Sequence, residues 1–270
     1  MIDPSKYKVY YSCCNSSNFF ELNGIESVSV QKNISHDQRF LLGGVDSAYS
    51  INAPEEVEVS LDRSFISCDS IFEYTGSNPV DEFRIYNGSS FFSIKKAYLK
   101  NYSASFSVGD LPKINTNFSS YGSSIDQIEF FDGGSVSEHQ LDIPKLNAIT
   151  LSGIYNQSLK TKYNIFSFSY NLTVNRQPYY SVGQKEPTEV CPILPLQIQA
   201  SISSRIPNTL KKIDIPELED SFTDFDIVVS GSNSNFILPM RKSKLVGSNI
   251  SIASQNTIEI KKDFLGYYGL

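Results

Sequence analysis

Residues 25–65 and 165–206 read as copies of each other, and a long-period duplication constrains a fold more than any local pattern does. A shift of 140 positions lays Ile25 on Ile165, Ser27 on Ser167, Ser29 on Ser169 and Gly43 on Gly183. One extra residue in the second copy makes the shift 141, which lays Pro54 on Pro195, Ser60 on Ser201, Leu61 on Ile202 and Phe65 on Ile206. Identities are few, but the order of apolar and polar residues is kept. The duplication predicts two tandem domains of one type, each of about 130 residues. The expected division is an N-terminal arm over 1–24, a first domain over 25–135, a connecting arm over 136–160 and a second domain over 161–270.

The copies alternate with the two-residue period of half-buried strands. Val28, Val30 and Ile34 stand against Ser27, Ser29, Gln31 and Asn33; Phe166, Phe168, Tyr170, Leu172 and Val174 stand against Ser167, Ser169, Asn171 and Thr173. Further on, Val57, Val59 and Leu61 oppose Glu58, Ser60 and Asp62. Their partners Leu196, Ile198, Ala200 and Ile202 oppose Gln197, Gln199, Ser201 and Ser203. A later strand puts Tyr98, Tyr102, Ala104, Phe106 and Val108 on one face, and Leu245 and Ile252 match its Leu99 and Phe106. The last pair matches Ile114, Phe118 and Tyr121 with Ile260, Phe264 and Tyr267. Antiparallel strands between turn signals predict an all-β chain of two duplicated sandwich or barrel domains. Each domain has at most one short helix, expected where Ile215-Pro-Glu-Leu-Glu-Asp-Ser-Phe places Pro and acids in a first turn. A tight hairpin turn is expected at Asp132-Gly133.

The net charge of −6 argues against a static nucleic-acid binder or a polybasic membrane-surface protein. No apolar run is long enough to span a bilayer, and Met-Ile-Asp-Pro-Ser-Lys does not read as a signal peptide. Cys13, Cys14, Cys68 and Cys191 lack the spacing of a disulfide or zinc framework and read as reduced and structural.

Candidate chemistry is sparse. His36, in Ser35-His36-Asp37, suggests a triad only until its duplicate, Asn175-Arg176-Gln177, is set beside it. With His139 the only other histidine, a transition-metal site is not expected. Asp214, Glu217, Glu219, Asp220, Asp224 and Asp226 lack the ligand order and central glycine of a calcium loop and read as a solvated acidic loop. Gly43-Gly44 and Gly133-Gly134 lack the lysine and helix of a phosphate loop and read as turns. Tyr179-Tyr180 and Tyr267-Tyr268 offer an aromatic platform for sugars, although such residues are more often core or interface. No catalytic, cofactor or metal residues are assigned, and no enzyme activity is expected.

Phe166-Ser-Phe-Ser-Tyr-Asn-Leu-Thr-Val-Asn-Arg-Gln-Pro-Tyr-Tyr-Ser-Val-Gly, with the strand entry at Pro192-Ile-Leu-Pro, resembles the tail-tube proteins of tailed bacteriophages. Tyr98-Leu-Lys-Asn-Tyr-Ser-Ala-Ser-Phe-Ser-Val-Gly adds to the likeness, which covers about two thirds of the chain and is closest to versions with two tube-type domains. The resemblance implies a virion structural protein, made in the host cytoplasm, whose rings stack into a tube through which DNA passes without specific binding. It implies a trimeric ring with pseudo-sixfold symmetry, and tape-measure, baseplate and sheath proteins as partners. Another tail component of the same fold (baseplate, hub or terminator ring) and a carbohydrate-binding tail protein are the alternatives. Because a conduit must not grip phosphates, the rows without Lys or Arg are the lumen candidates: Ser27, Ser29, Gln31, Asn33, Ser167, Ser169, Asn171 and Thr173, with Glu58, Asp62, Gln197 and Gln199. An ordinary solvent face is the competing reading of these rows.

Overall fold

The structure is a computed structural model and describes residues 7–12, 19–33, 36–39, 49–52, 55–65, 69–76, 78–87, 90–122, 128–130, 148–153, 164–184, 186–207, 223–230, 235–253 and 257–268. Most of these residues lie in antiparallel strands and very few in a helix, so the structure is all-β, as the alternation predicts. The first half carries β1 (Tyr7–Ser12), β2 (Phe20–Glu21), β3 (Ile25–Asn33), β4 (His36–Arg39), β5 (Tyr49–Asn52), β6 (Glu56–Ser64), β7 (Val80–Asn87), β8 (Ser90–Ser107), β9 (Lys113–Tyr121) and β10 (Ile128–Phe130). The second carries β11 (Ala148–Gly153), β12 (Asn164–Thr173), β13 (Arg176–Tyr179), β14 (Glu189–Pro192), β15 (Leu196–Pro207), β16 (Thr223–Ser230), β17 (Asn235–Ala253) and β18 (Thr257–Tyr268). A 3-10 turn over Ser70–Thr75 follows β6, and the Asp69 carboxylate caps it by accepting from the Ile71 N–H. The helix expected at 215–222, the 132–133 turn, both Gly-Gly pairs, Cys13, Cys14, Cys68, His139 and the acidic run 214–220 lie outside the described residues.

Both halves use one order of pairing. β3-β6-β9-β8 in the first half has the same sequence of neighbours as β12-β15-β18-β17 in the second. The registers also correspond: Ser29, Ser60, Asn117 and Asn101 stand opposite one another, as do Ser169, Ser201, Asp263 and Gly247. Register shifts fall at Ile25/Ser27 and Ile165/Ser167, and at Leu99/Asn101 and Leu245/Gly247. In each long strand one lysine adopts a positive φ, Lys96 at 51° and Lys242 at 43°. Beyond that point the N-terminal part of β8 pairs with β7, which pairs with β1; β17 pairs likewise with β16, and β16 with β11. The stretches read as arms, 1–24 and 136–160, therefore each supply a strand to this outer ladder.

The halves share a sheet. β12 lies along the C-terminal part of β8, with Ser167 opposite Ser107 and Thr173 opposite Asn101, so eight strands run on without a break. One face of this run is apolar and buries Val57, Val59, Leu61, Phe118, Phe106, Phe168, Tyr170, Leu172, Ile198 and Phe264. The outer ladders pack over it. Phe83 of β7 meets Phe118 at 4.9 Å between ring centroids, and Phe225 of β16 meets Phe264 at 5.2 Å. At the β8–β12 joint Phe106 stacks on Phe168 at 4.8 Å, and Phe72 of the 3-10 turn contacts Tyr102, Tyr170, Phe236 and Tyr268. Burying large rings at the joint gives the sheet an apolar core that passes from one half into the other.

Two expected alignments of side chains are corrected. Phe166 does not share the buried face of Phe168 and Tyr170: it falls in the register shift between Ile165 and Ser167, is half-buried, and lies under the Arg205 guanidinium at 4.1 Å. Tyr98 does not share a face with Tyr102, because Lys100 is an extra residue in the β8–β9 ladder. Inserting one residue reverses the alternation, so Tyr98 stands beside Ser119 while Tyr102 turns into the core. Val108 leaves the strand altogether and is exposed in the turn before β9. At that turn Gly109 takes φ 95°, a conformation that favours glycine.

Candidate functional site

The opposite face of the eight-stranded run is polar, and all twelve residues nominated from the sequence belong to it. Opposed residues of neighbouring strands point to the same side of a sheet. One row joins Ser29, Ser60, Asn117, Asn101, Thr173 and Gln197; the next joins Ser27, Asp62, Asn115, Ser103, Asn171 and Gln199. Gln31 stands opposite Glu58, Asn33 opposite Glu56, Ser169 opposite Ser201, and Ser167 opposite Ser203. These positions are exposed or half-buried, whereas Val57, Val59, Leu61, Phe168, Tyr170 and Leu172 between them are buried.

The sequence rows understate the charge on this face. Glu26 and Lys100 enter it through the bulges, and Lys113, Arg205, Glu259, Lys261 and Asp263 extend it. Four of its cations are held by carboxylates. Lys100 Nζ donates to Glu56 at 3.1 Å and Glu58 at 2.9 Å, Arg205 Nε lies 2.9 Å from Glu259, Lys261 lies 3.5 Å from Asp263 and Lys113 lies 3.9 Å from Glu26. Burial works against the Lys100 ammonium, but its bonds to Glu58 and Glu56 outweigh that and raise its pKa. Ser27 Oγ donates to Asp62 at 2.6 Å and Asn115 Nδ2 donates to its other oxygen. Those two hydrogen bonds lower the Asp62 pKa against a smaller opposing effect of burial, and the Lys113 charge adds to them. A cation already paired with a carboxylate attracts a phosphate weakly, because its field is largely cancelled at that distance.

The remaining candidates are scattered. Arg176, at the position matching His36, sits on β13 and reaches into the first half; the His36 side chain lies outside the described residues. Asp226 pairs with Arg241 at 2.7 Å, and Asp224 accepts from the Lys242 N–H at 2.7 Å, so both serve the β16–β17 ladder. Cys191 is a free thiol beside Glu189. Among the described residues no three of His, Cys, Asp and Glu come together in a group able to hold a metal ion, and no helix is long and apolar enough to cross a membrane. Tyr179, Tyr180 and Val182 are exposed around the tip of the β13–β14 hairpin, and Ile193 and Leu194 are exposed at its base. Tyr267 and Tyr268 are half-buried on β18, opposite Gln197 and Leu196 of β15. Sequence reasoning missed Lys100 on the polar face, because nothing in Tyr98-Leu-Lys-Asn-Tyr marks a bulge.

The fold and this face define an all-β chain with one continuous, solvated polar surface on which Lys100, Lys113, Arg205 and Lys261 are paired with carboxylates. No protein-family model matches the chain, and no curated protein matches it.

Proposed function

We propose that the chain is a non-enzymatic virion structural protein that self-assembles into stacked rings, forming a phage tail tube whose bore is lined by the polar face. The observation that carries this reading is the eight-stranded run itself, with its apolar face covered except at its two ends and its polar face exposed or half-buried. Serine, asparagine and glutamine present short neutral groups there, and four cations are paired with carboxylates. Such a wall lets a polyanion slide past without releasing its counterions to fixed lysines.

The stagger of the strands supports closure. The row that starts at Ser29 crosses four strands and arrives at Thr173, four residues beyond Ser169, the counterpart of Ser29. A sheet that advances one residue per strand closes with a strand tilt of about 36°. Three copies supply 24 strands (about eight each), and a spacing of ~4.8 Å then gives a backbone diameter of about 45 Å. That bore admits a DNA duplex.

Negative-stain electron microscopy of the purified chain, with light scattering, tests the reading. Tubes, or rings of three chains around a central hole, are expected. Single rings that never stack favour a baseplate, hub or terminator component instead. A strict monomer at high concentration that binds glycans through Tyr179 and Tyr180 overturns the proposal.

A further inference from the structure

The internal joint between β8 and β12 has two unmatched halves at the ends of the run. β3, the counterpart of β12, pairs with β6 on one side only, and among the described residues nothing pairs with its other edge. Among the described residues, Gly247–Ala253 of β17, the counterpart of the β8 segment that binds β12, pairs with β18 on one side only. At the internal joint the apolar residues on these strands are covered: Phe106, Ala104, Phe168 and Tyr170 are at most 3% exposed. At the ends they are not: Ile250, matching Ala104, is 42% exposed, and Val28 and Val30, matching Phe168 and Tyr170, are half-buried. An open strand edge with an apolar flank calls for another strand.

We infer that β3 of one copy pairs antiparallel with the C-terminal part of β17 of a second copy, in the register of the internal joint. Transferring that register puts Ser29 opposite Ser251, Val30 opposite Ile250 and Gln31 opposite Asn249. The contact is heterologous, because each copy offers β3 on one side and β17 on the other, and such contacts form a ring where the rotation between copies closes and an open filament where it does not. The backbone phase follows as well. The Val108 N–H donates to the Phe166 carbonyl and the Val174 N–H to the Lys100 carbonyl, so Ser105 and Ser169 form a non-hydrogen-bonded pair. Ser29 and Ser251 then form one too, close enough for a disulfide. Val30 and Ile250 aim their N–H and C=O groups across the joint, and these groups are not needed by the ladders within the chain. The inference rests on the self-assembly part of the reading above and does not require stacking.

The test replaces the four native cysteines by serine and introduces Ser29→Cys and Ser251→Cys in separate chains. Ser105→Cys with Ser169→Cys in one chain serves as the control, since it closes the same bond within a chain and reports that the background folds. Mixed and oxidised, the two single variants are expected to give a covalent dimer containing one of each, and neither alone is expected to cross-link. The double variant is expected to give a ladder of covalent species that stops at the number of copies in the ring. Ser29→Cys mixed with Gly247→Cys, displaced by four residues or about 13 Å along the strand, is expected to stay uncross-linked. Ser29→Cys cross-linking to itself, a cross-link from the displaced pair in place of the expected one, or none from the mixed pair while the control closes, overturns the joint. Assembled particles that lack the cross-link overturn the joint and leave the tube reading standing. Cross-linked rings that never stack establish the joint and overturn the tube.

Discussion

Arg176 in the second half donates from Nε to the backbone carbonyl of Leu99 in the first half at 2.7 Å. Its Nη2 reaches the carbonyls of Gly76 at 2.8 Å and Tyr74 at 3.2 Å, and its guanidinium lies over the Tyr98 ring at 5.3 Å. Burial pulls its pKa down to about 10. Because the arginine reaches two carbonyls at the end of the 3-10 turn and one on β8, it fixes the β13–β14 hairpin to the neighbouring half. Arg176→Ala is expected to lower the unfolding free energy by about 1–3 kcal/mol. It is also expected to raise hydrogen exchange of the hairpin, residues 176–192, above that of β15; unchanged protection of the hairpin disproves the tie.

Arg63 and Asp69 form a two-pronged ion pair at 2.8 and 3.1 Å, with both side chains nearly inaccessible, and the Tyr102 hydroxyl donates to Asp69 at 2.9 Å. Burial, followed by the Asp69 charge, drives the Tyr102 pKa well above its usual value. Removing one member of a buried pair strands the other. Asp69→Ala is therefore expected to cost about 3–5 kcal/mol in urea unfolding, and Arg63→Met with Asp69→Leu less than either single truncation.

The stacked rings of Phe106 and Phe168 hold the two halves together across the joint. Phe168→Ala is expected to cost about 3–5 kcal/mol. If the halves unfold as one unit, the denaturation curve shifts without changing slope; a second transition shows that they have separated.

Asp62 provides the pH test. Its folded pKa is depressed, so its contribution to stability is present above its unfolded value, about 3.9, and disappears as pH falls through the lower folded value. Asp62→Asn is expected to flatten the loss of stability between pH 5 and the acid limit, measured as unfolding midpoint against pH. Equal acid sensitivity in both proteins rules out this role.

If the polar face fails to hold polyanions because Lys100, Lys113, Arg205 and Lys261 are already paired with carboxylates, adding unpaired cations must reverse its behaviour. Ser29→Lys, Ser169→Lys and Ser201→Lys together are expected to make assembled protein retard duplex DNA in a gel, in proportion to the charge added and less as salt rises. The unmodified protein is expected not to retard it. Strong binding by the unmodified chain removes the rationale for the conduit.

The strands were legible because alternation is local: β6 and β15 bury the apolar residues that their spacing marks, and β12 buries all of its own but Phe166. So was the polar face, since residues two apart share a side. The joint was not legible. Phe106 and Phe168 are 62 positions apart, and Phe-Ser-Phe-Ser in one strand does not specify which distant edge it will meet. The points where β8 and β17 pass from one ladder to the next were hidden for another reason. Lys96 and Lys242 hold backbone angles that lysine does not favour, imposed by the strand's need to serve two ladders, so no residue preference announces them.

The joint inside the chain has a consequence for any ring made this way. Half of the contacts are synthesised already in place, so fewer bodies have to be captured from solution and each brings its neighbour at a high local concentration. The fusion also fixes an order: the halves must alternate. Arg176 occupies one half and the matching position in the other holds a histidine, so the arginine clasp recurs at every second junction. A rim built from such chains carries two kinds of seam in strict succession, and a neighbouring protein that reads one kind has half as many places to bind as there are junctions.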